Sequence, residues 1–395
     1  MGQPEFIAMI AMLFATIAFS IDSMLPALPT IAAELTPLDP NKAQLILTSF
    51  VLGMGLGTFF AGPLSDSFGR RRVIVAGAIL YCVASAVAVF APSLETILLA
   101  RVVQGLGASG PRVVSLALVR DLYKGRDMAR VVSFAMMIFT LVPAIAPLAA
   151  SGIIVAFGWR AVFGAFILFS MISMAWLLRR QPETLTRENR RPFRIEPLMA
   201  ALREVLSHRT IVTTIAVQTL IFGALFGTLS SAQPVIDVQF GRAASFPLWF
   251  ALVALCAGVA SPTNAFLVGR LGMRYMITIT LVGQIILSGS LLLLTLSGAL
   301  PENLAFPAFI LWMIGVFAMA GLTLGNLNAL ALEPVGHIAG MAASVTGAIS
   351  TVLAVALAAP LGLAFDGSYI PVMAGVALMA VLALGLMLSI PYNKS

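Results

Sequence analysis

Gly62-Pro63-Leu64-Ser65-Asp66-Ser67-Phe68-Gly69-Arg70-Arg71-Arg72 is a short charged turn set between two apolar runs, residues 43–65 and 73–91. Each run is close to the roughly 20 residues that a helix needs to cross a hydrocarbon core of about 30 Å. Gly62 is expected to let the first helix end against a neighbour, and Gly69 to permit a sharp turn, because glycine tolerates backbone angles that other residues resist. The arginines are explained by membrane topology alone, as anchors on the cytoplasmic side. Asp66 is not, since an acid among basic anchors adds nothing to orientation. Asp66 and Arg70 supply charges that can hold helix ends together in one state and release them in another.

The rest of the chain repeats this alternation of apolar runs and charged turns. Of its 395 residues, 60% are hydrophobic and only 10% charged, and mean hydropathy is +1.03. A soluble domain carries about a quarter charged residues, so a soluble enzyme, a disordered chain and a secreted disulfide scaffold are all excluded. Cys82 and Cys256 both lie inside apolar runs and read as small hydrophobes. The net charge of +7 is spread through the turns between apolar runs, so nucleic acid is not an expected partner.

Cutting at charge clusters and at Pro and Gly breaks yields twelve spans: 6–32, 43–65, 73–91, 94–119, 129–156, 160–178, 210–232, 245–268, 274–298, 304–331, 340–364 and 369–390. The basic residues orient them. Arg70–Arg72, then Arg120, Lys124, Arg126 and Arg130, eight arginines from Arg179 to Arg209, Arg270, Arg274 and Lys394 all follow even-numbered spans. Only Lys42, Arg160 and Arg242 fall in the opposite loops. This bias puts both termini and the long loop in the cytoplasm. The polar stretch 179–209 divides an N-terminal bundle, 1–178, from a C-terminal bundle, 210–395, and reads as a solvated linker whose arginines are also able to meet lipid headgroups. Gly269-Arg270-Leu271-Gly272-Met273-Arg274 stands where the opening turn stands in the first half, without a counterpart to Asp66. That echo suggests two related bundles, with the second turn keeping only its bend.

Charges inside spans are rare, which makes each one informative. Asp22 is the one carboxylate well inside an apolar run; Glu5, Glu34 and Glu95 sit at span ends. It precedes Pro26 and Pro29, where a bent helix would expose it to a cavity. Desolvation raises the pKa of a carboxylate and a nearby arginine lowers it, so protonation can follow a change in water access. The alternative is a structural aspartate bonded to a neighbouring helix. Arg101 and Arg112 in span 4 share one face with Gln104, Gly105 and Ala108, and that face should turn from lipid toward a cavity or partner helix. Arg112 has a second reading, as a partner for the loop charges. Among the second-half spans the polar candidates are Gln218, Asn264, Gln284, Asn326 and Asn328. Their alternatives are interhelical hydrogen bonding and substrate contact. Pro143 and Pro147 should kink span 5.

The turn from Gly62 to Arg72 resembles the signature loop of the major facilitator superfamily, G-x-L-x-D-x-x-G-R-R-R. Arg101-Val102-Val103-Gln104-Gly105-Leu106-Gly107 resembles the R-x-x-Q-G-x-G motif of its proton-coupled drug antiporters. Asp22-Ser23-Met24-Leu25-Pro26-Ala27-Leu28-Pro29 is similar to the D-x-x-L-P-A-L-P stretch of the bicyclomycin- and chloramphenicol-resistance branch, and residues 230–234 and 330–340 also resemble that branch. Span 5 departs from the antiporter pattern: Ala146, Ala150 and Ser151 stand among the positions usually held by paired glycines, while Pro147 is kept.

The resemblance implies an all-α membrane protein of twelve transmembrane helices in two six-helix bundles. It also implies a proton-coupled exporter of small amphiphilic drugs in a bacterial inner membrane, working by alternating access. Asp22 would carry the proton, with Arg101, Gln104, Arg112, Gln218, Asn326 and Asn328 as cavity candidates. Gly62, Asp66, Gly69, Arg70 and Asp121 would form a latch for the outward-open state, completed by the start of span 11 near Gly340. The expected partners are a small-molecule substrate, protons and the lipid bilayer, with the protein acting as a monomer and without cofactor or metal. No nucleotide-binding G-x-x-x-x-G-K-[ST] occurs. A nutrient symporter of the same fold is the rival reading. An intramembrane enzyme or a receptor is more remote, because His208 and His337 lie in loops and no catalytic constellation is apparent.

Overall fold

The computed structural model describes residues 2–190 and 192–390, so Arg191 and Lys394, counted above among the cytoplasmic charges, lie outside the described residues. Among the described residues the fold is helical, with no strand. Span 1 is α1 (Gln3–Asp22) and α2 (Leu28–Leu35), joined by a tight turn at Leu25–Ala27. Then follow α3 (Leu45–Phe68), α4 (Arg70–Val89), α5 (Leu94–Leu122), α6 (Gly125–Phe157) and α7 (Arg160–Arg180). After α8 (Ile195–Ser207) come α9 (Arg209–Pro234), α10 (Phe246–Gly258), α11 (Ala260–Leu271), α12 (Met273–Leu296), α13 (Glu302–Leu332), α14 (Ala339–Leu363) and α15 (Ile370–Leu388). Among the described residues, eleven continuous helical runs are long and apolar enough to cross a membrane. The longest, Glu302–Leu363, spans 62 residues and breaks at Val335, whose φ of −125° and ψ of 34° are not helical. It is therefore two spans, α13 and α14, which brings the count to twelve.

The surface is that of a protein in hydrocarbon. On α4, Ile79, Val83 and Val87 recur at helical spacing and all are exposed, whereas polar Ser85 and the polar tip of Tyr81 on the same helix are buried. The chain forms two compact units, Met1–Ala201 and Leu202–Ser395, and the boundary falls inside α8.

In the first unit α5 packs between α3 and α4 at backbone contact distance. A Cβ on Gly105 would overlap the Phe50 carbonyl of α3, and one on Gly107 would come within 2.6 Å of the Gly77 carbonyl of α4. Small residues permit this approach, which in lipid replaces the hydrophobic drive as the source of helix association. Together with Gln104, they hold the polar face of α5 against its neighbours.

Three local readings change. α3 does not end at Gly62 but continues through Pro63 to Phe68, because a proline costs a single helical hydrogen bond that neighbouring contacts can offset. The bend is made by Gly69 alone, with φ 103° and ψ 150°. Gly272, with φ 84° and ψ 152°, makes the same bend between α11 and α12. Second, span 7 extends beyond residue 232 through a widened turn, Val235–Gln239, placing the half-buried Asp237 at its end, where Gln233 Nε2 donates to its carboxylate over 3.2 Å. Third, the linker contains a helix, α8, which its Arg and Pro content concealed. α6 runs as one helix through Pro143 and Pro147. Each proline lacks an N–H, so the Phe139 and Pro143 carbonyls have no α-helical donor there.

Candidate functional site

Asp22 is the last residue of α1, and the reason the helix stops there is written four residues on. Pro26 has no N–H to offer the Asp22 carbonyl, and Pro29 none for Leu25, so the chain tightens at Leu25–Ala27 before α2 begins. The Asp22 side chain is buried, 5% exposed, with no hydrogen bond or ion pair to another described residue. A carboxylate in such a place is costly to charge unless water or a donor reaches it, which ties its state to whatever opens the site. Beside it, Ser23 Oγ donates to the Ala146 carbonyl of α6, 3.4 Å away, next to Pro147.

Arg101 lies seven residues into α5 and is fully buried. Its Nη2 donates to the Ser20 carbonyl of α1 at 3.0 Å, its Nε to the Ile46 carbonyl of α3 at 3.2 Å, and its Nη1 to Gln104 Oε1 at 2.6 Å. The guanidinium also lies 4.4 Å from the centre of the Phe50 ring. Gln104 Nε2 passes the network to Ser85 Oγ at 2.7 Å, which donates in turn to the Tyr81 carbonyl at 2.7 Å. Tyr81 closes the circuit, its hydroxyl 2.5 Å from Ser20 Oγ. One arginine thus ties α1, α3 and α4 to α5 through carbonyl dipoles and an aromatic face, without a counter-carboxylate. It reaches the helix of Asp22, two residues before the carboxyl, and not the carboxyl itself. Ser20, Tyr81 and Ser85 are members that sequence reasoning missed; the one available signal was their spacing, since Tyr81 and Ser85 are four apart on one helix face.

Arg112 is half-buried, and its Nη1 lies 3.6 Å from Met54 Sδ on α3. The reading that pairs it with the loop charges is not met: those acids turn to Arg70. In the second unit the amides link helices. Gln218 on α9 donates to Asn328 Oδ1 on α13 at 3.1 Å and accepts from Ser350 Oγ on α14 at 3.1 Å. Asn326 and Asn264 exchange bonds of 2.8 and 3.2 Å between α13 and α11. Gln284 and Trp312 both donate to Ser288 Oγ, at 3.0 and 2.9 Å. Asn328, unlike Gln218 and Asn326, has an exposed side chain.

At the opening turn, Arg70 is the hub. Its Nη1 bonds Asp66 and, at 2.7 Å, Ser65 Oγ, while its Nε bonds Asp121 Oδ2 at 3.2 Å. The sequence reading grouped Asp66, Arg70 and Asp121, and they do meet. It omitted two linker residues. Glu183 accepts the backbone N–H groups of Arg70 and Arg71, at 2.8 and 3.2 Å, capping the start of α4. Thr184 Oγ1 donates to Asp121 Oδ2 at 2.8 Å. Gly69 lies under this cap: a Cβ there would stand 2.5 Å from Glu183 Oε2.

Comparison with known proteins places this architecture. The family described as Major Facilitator Superfamily matches residues 8–359, most of the chain. The chain belongs to the Major Facilitator Superfamily. Among relatives in this superfamily, a bicyclomycin resistance protein homolog of Haemophilus influenzae is 31% identical over 335 residues, 84% of this chain and 82% of that protein. The multidrug resistance protein MdtL of Salmonella dublin is 30% identical over 389 residues, 95% of this chain and 92% of its own. The crystal structure of a D-xylose-proton symporter superposes with a TM-score of 0.76 at 17% identity, covering 99% of this chain and 98% of the symporter, which establishes the shared fold. As a superfamily member the protein is a multi-pass membrane transporter of small molecules, not an enzyme.

Proposed function

We propose that the protein is a proton-coupled exporter of small amphiphilic drugs, set in a bacterial inner membrane with both termini in the cytoplasm and acting as a monomer. Asp22 carries this reading: a buried carboxyl, free of partners among the described residues, at the break in span 1. In alternating access, water reaches the site from one side at a time, and a carboxyl whose charge depends on water exchanges its proton accordingly. The named resistance proteins support a drug as the cargo. Arg101 and Gln104 hold the helices around Asp22, and Arg112, Gln218, Asn326 and Asn328 are the groups offered to substrate.

Expression in a host stripped of its own efflux pumps tests the direction. The expected result is a several-fold rise in tolerance to at least one drug in a panel including bicyclomycin and chloramphenicol, with lower cellular accumulation of that drug. Raised accumulation instead would make the protein an importer and end the export reading.

The cluster around Arg70 is the cytoplasmic latch in this proposal, with Gly69 as its backbone element. Asp66→Asn removes one of the two carboxylates that Arg70 holds, while Ser65, Asp121 and the Glu183 cap remain. Transport by Asp66→Asn should therefore slow several-fold while substrate affinity stays near wild type. Initial rates set against equilibrium binding separate the two, and wild-type turnover would remove Asp66 from the latch.

A further inference from the structure

The helix hidden in the linker has two apolar stripes, and only one is used. Leu198, Ala201 and Val205 on α8 recur at spacings of three and four residues and are packed away, at 2%, 2% and 0% exposure. Ile195, Met199, Leu202 and Leu206 recur at four, three and four, along a stripe about 100° around the helix from the first. Ile195, Met199 and Leu206 are 57%, 38% and 50% exposed. The roll of the helix is fixed from a third side. Glu204 stands 3.0 Å from His337 Nε2, in the turn between α13 and α14. With one face packed and another pinned, the stripe through Leu206 cannot turn inward.

Its setting indicates what covers it. α8 ends at Ser207, and α9 begins at Arg209, with only His208 between them. The C-terminal end of α8 is therefore held where a membrane-crossing helix leaves the bilayer. Arg203 lies beside the exposed stripe, and Arg194 and Arg209 bracket the helix at its two ends. Of the acidic residues of α8, Glu204 faces His337 on the far side from the stripe, and Glu196 lies about 20° from Arg203, on the same border of the stripe. An apolar stripe bordered by arginine is the pattern of a helix lying in the plane of a membrane interface, and arginines near an anionic leaflet are attracted to it.

We propose that α8 is an interfacial anchor. Its Ile195, Met199, Leu202 and Leu206 stripe is immersed in the leaflet from which α9 departs, and Arg203 engages anionic headgroups such as phosphatidylglycerol. The linker is then membrane-bound through α8 instead of being solvated along its whole length. The proposal is independent of the direction and energetics of transport.

The test uses the full-length protein with Cys82→Ser and Cys256→Ser, one copy per lipid nanodisc, carrying an environment-sensitive fluorophore on Leu206→Cys, Met199→Cys or Ala200→Cys. Brominated lipids should quench the label on Leu206→Cys and Met199→Cys several-fold more than that on Ala200→Cys, which faces off the stripe. Adding phosphatidylglycerol to phosphatidylcholine discs should increase this quenching, and Arg203→Gln should remove the increase. Three results overturn the proposal: equal, weak quenching at all three positions; a shielded but unquenched label on Leu206→Cys, which would mean that protein covers the stripe; or quenching indifferent to phosphatidylglycerol.

Discussion

Arg101→Ala is expected to abolish transport and to lower the stability of the first unit by about 3–5 kcal/mol, the range for emptying a large buried site and leaving polar partners unmet. The side chain is fully enclosed, so its removal leaves a cavity that solvent does not fill freely. It also strands three acceptors at once: the Ser20 and Ile46 carbonyls and Gln104 Oε1. The damage should spread, because Gln104 is the group that holds Ser85, and Tyr81 and Ser20 share one hydroxyl contact. Arg101→Lys keeps the charge but not the planar fork or the broad contact with Phe50, so it should keep only part of the stability and part of the rate. Thermal unfolding of the purified protein in detergent, beside transport in vesicles, reads both quantities. Wild-type stability and transport in Arg101→Ala would show that the network holds neither the bundle nor the site.

How far these features were legible in the sequence depends on the kind of signal each one leaves. The twelve spans were legible because hydrocarbon excludes charge, so each boundary is marked by an arginine, a glycine or a proline. Asp22 and Arg101 stood out for the same reason, as ionisable groups where almost none occur. The bend at Gly69 was readable because only glycine accepts its φ of 103° comfortably. Ser20, Tyr81 and Ser85 were not readable, since serine and tyrosine are ordinary residues in membrane helices and their meaning comes from which helix faces them. Glu183 was lost among linker charges, because capping a helix across more than a hundred residues leaves no local pattern. Gly62 was misread as a helix end because glycine permits one without requiring it, and α3 continues through Pro63, since in a membrane helix one missing N–H does not stop the chain. The second apolar stripe of α8 was masked by the arginines and proline around it, although its four-three-four spacing was present.

The second large effect is expected at Asp22. Asp22→Asn is nearly isosteric and removes the ability to exchange a proton without removing hydrogen-bonding capacity. No described residue relies on the Asp22 carboxylate, so the fold should survive the change with stability close to wild type. Drug binding should persist in part, while export against a gradient is lost. The contrast with Arg101→Ala is the useful part: one variant should fail because the bundle loosens, the other while the bundle stays intact. Glu5 and Glu34 offer no substitute, being engaged with Arg180 and with Arg160 and Trp159, respectively.

The most direct measurement is substrate-induced proton movement in everted membrane vesicles. Respiration acidifies the vesicle interior, and a pH-sensitive dye reports protons leaving when drug enters. The wild-type protein should give dye recovery on drug addition, scaling with drug concentration, and Asp22→Asn should give none while still reaching the membrane in normal amount. Recovery of the dye signal in Asp22→Asn equal to wild type would contradict the account, because the proton would then be travelling on another group.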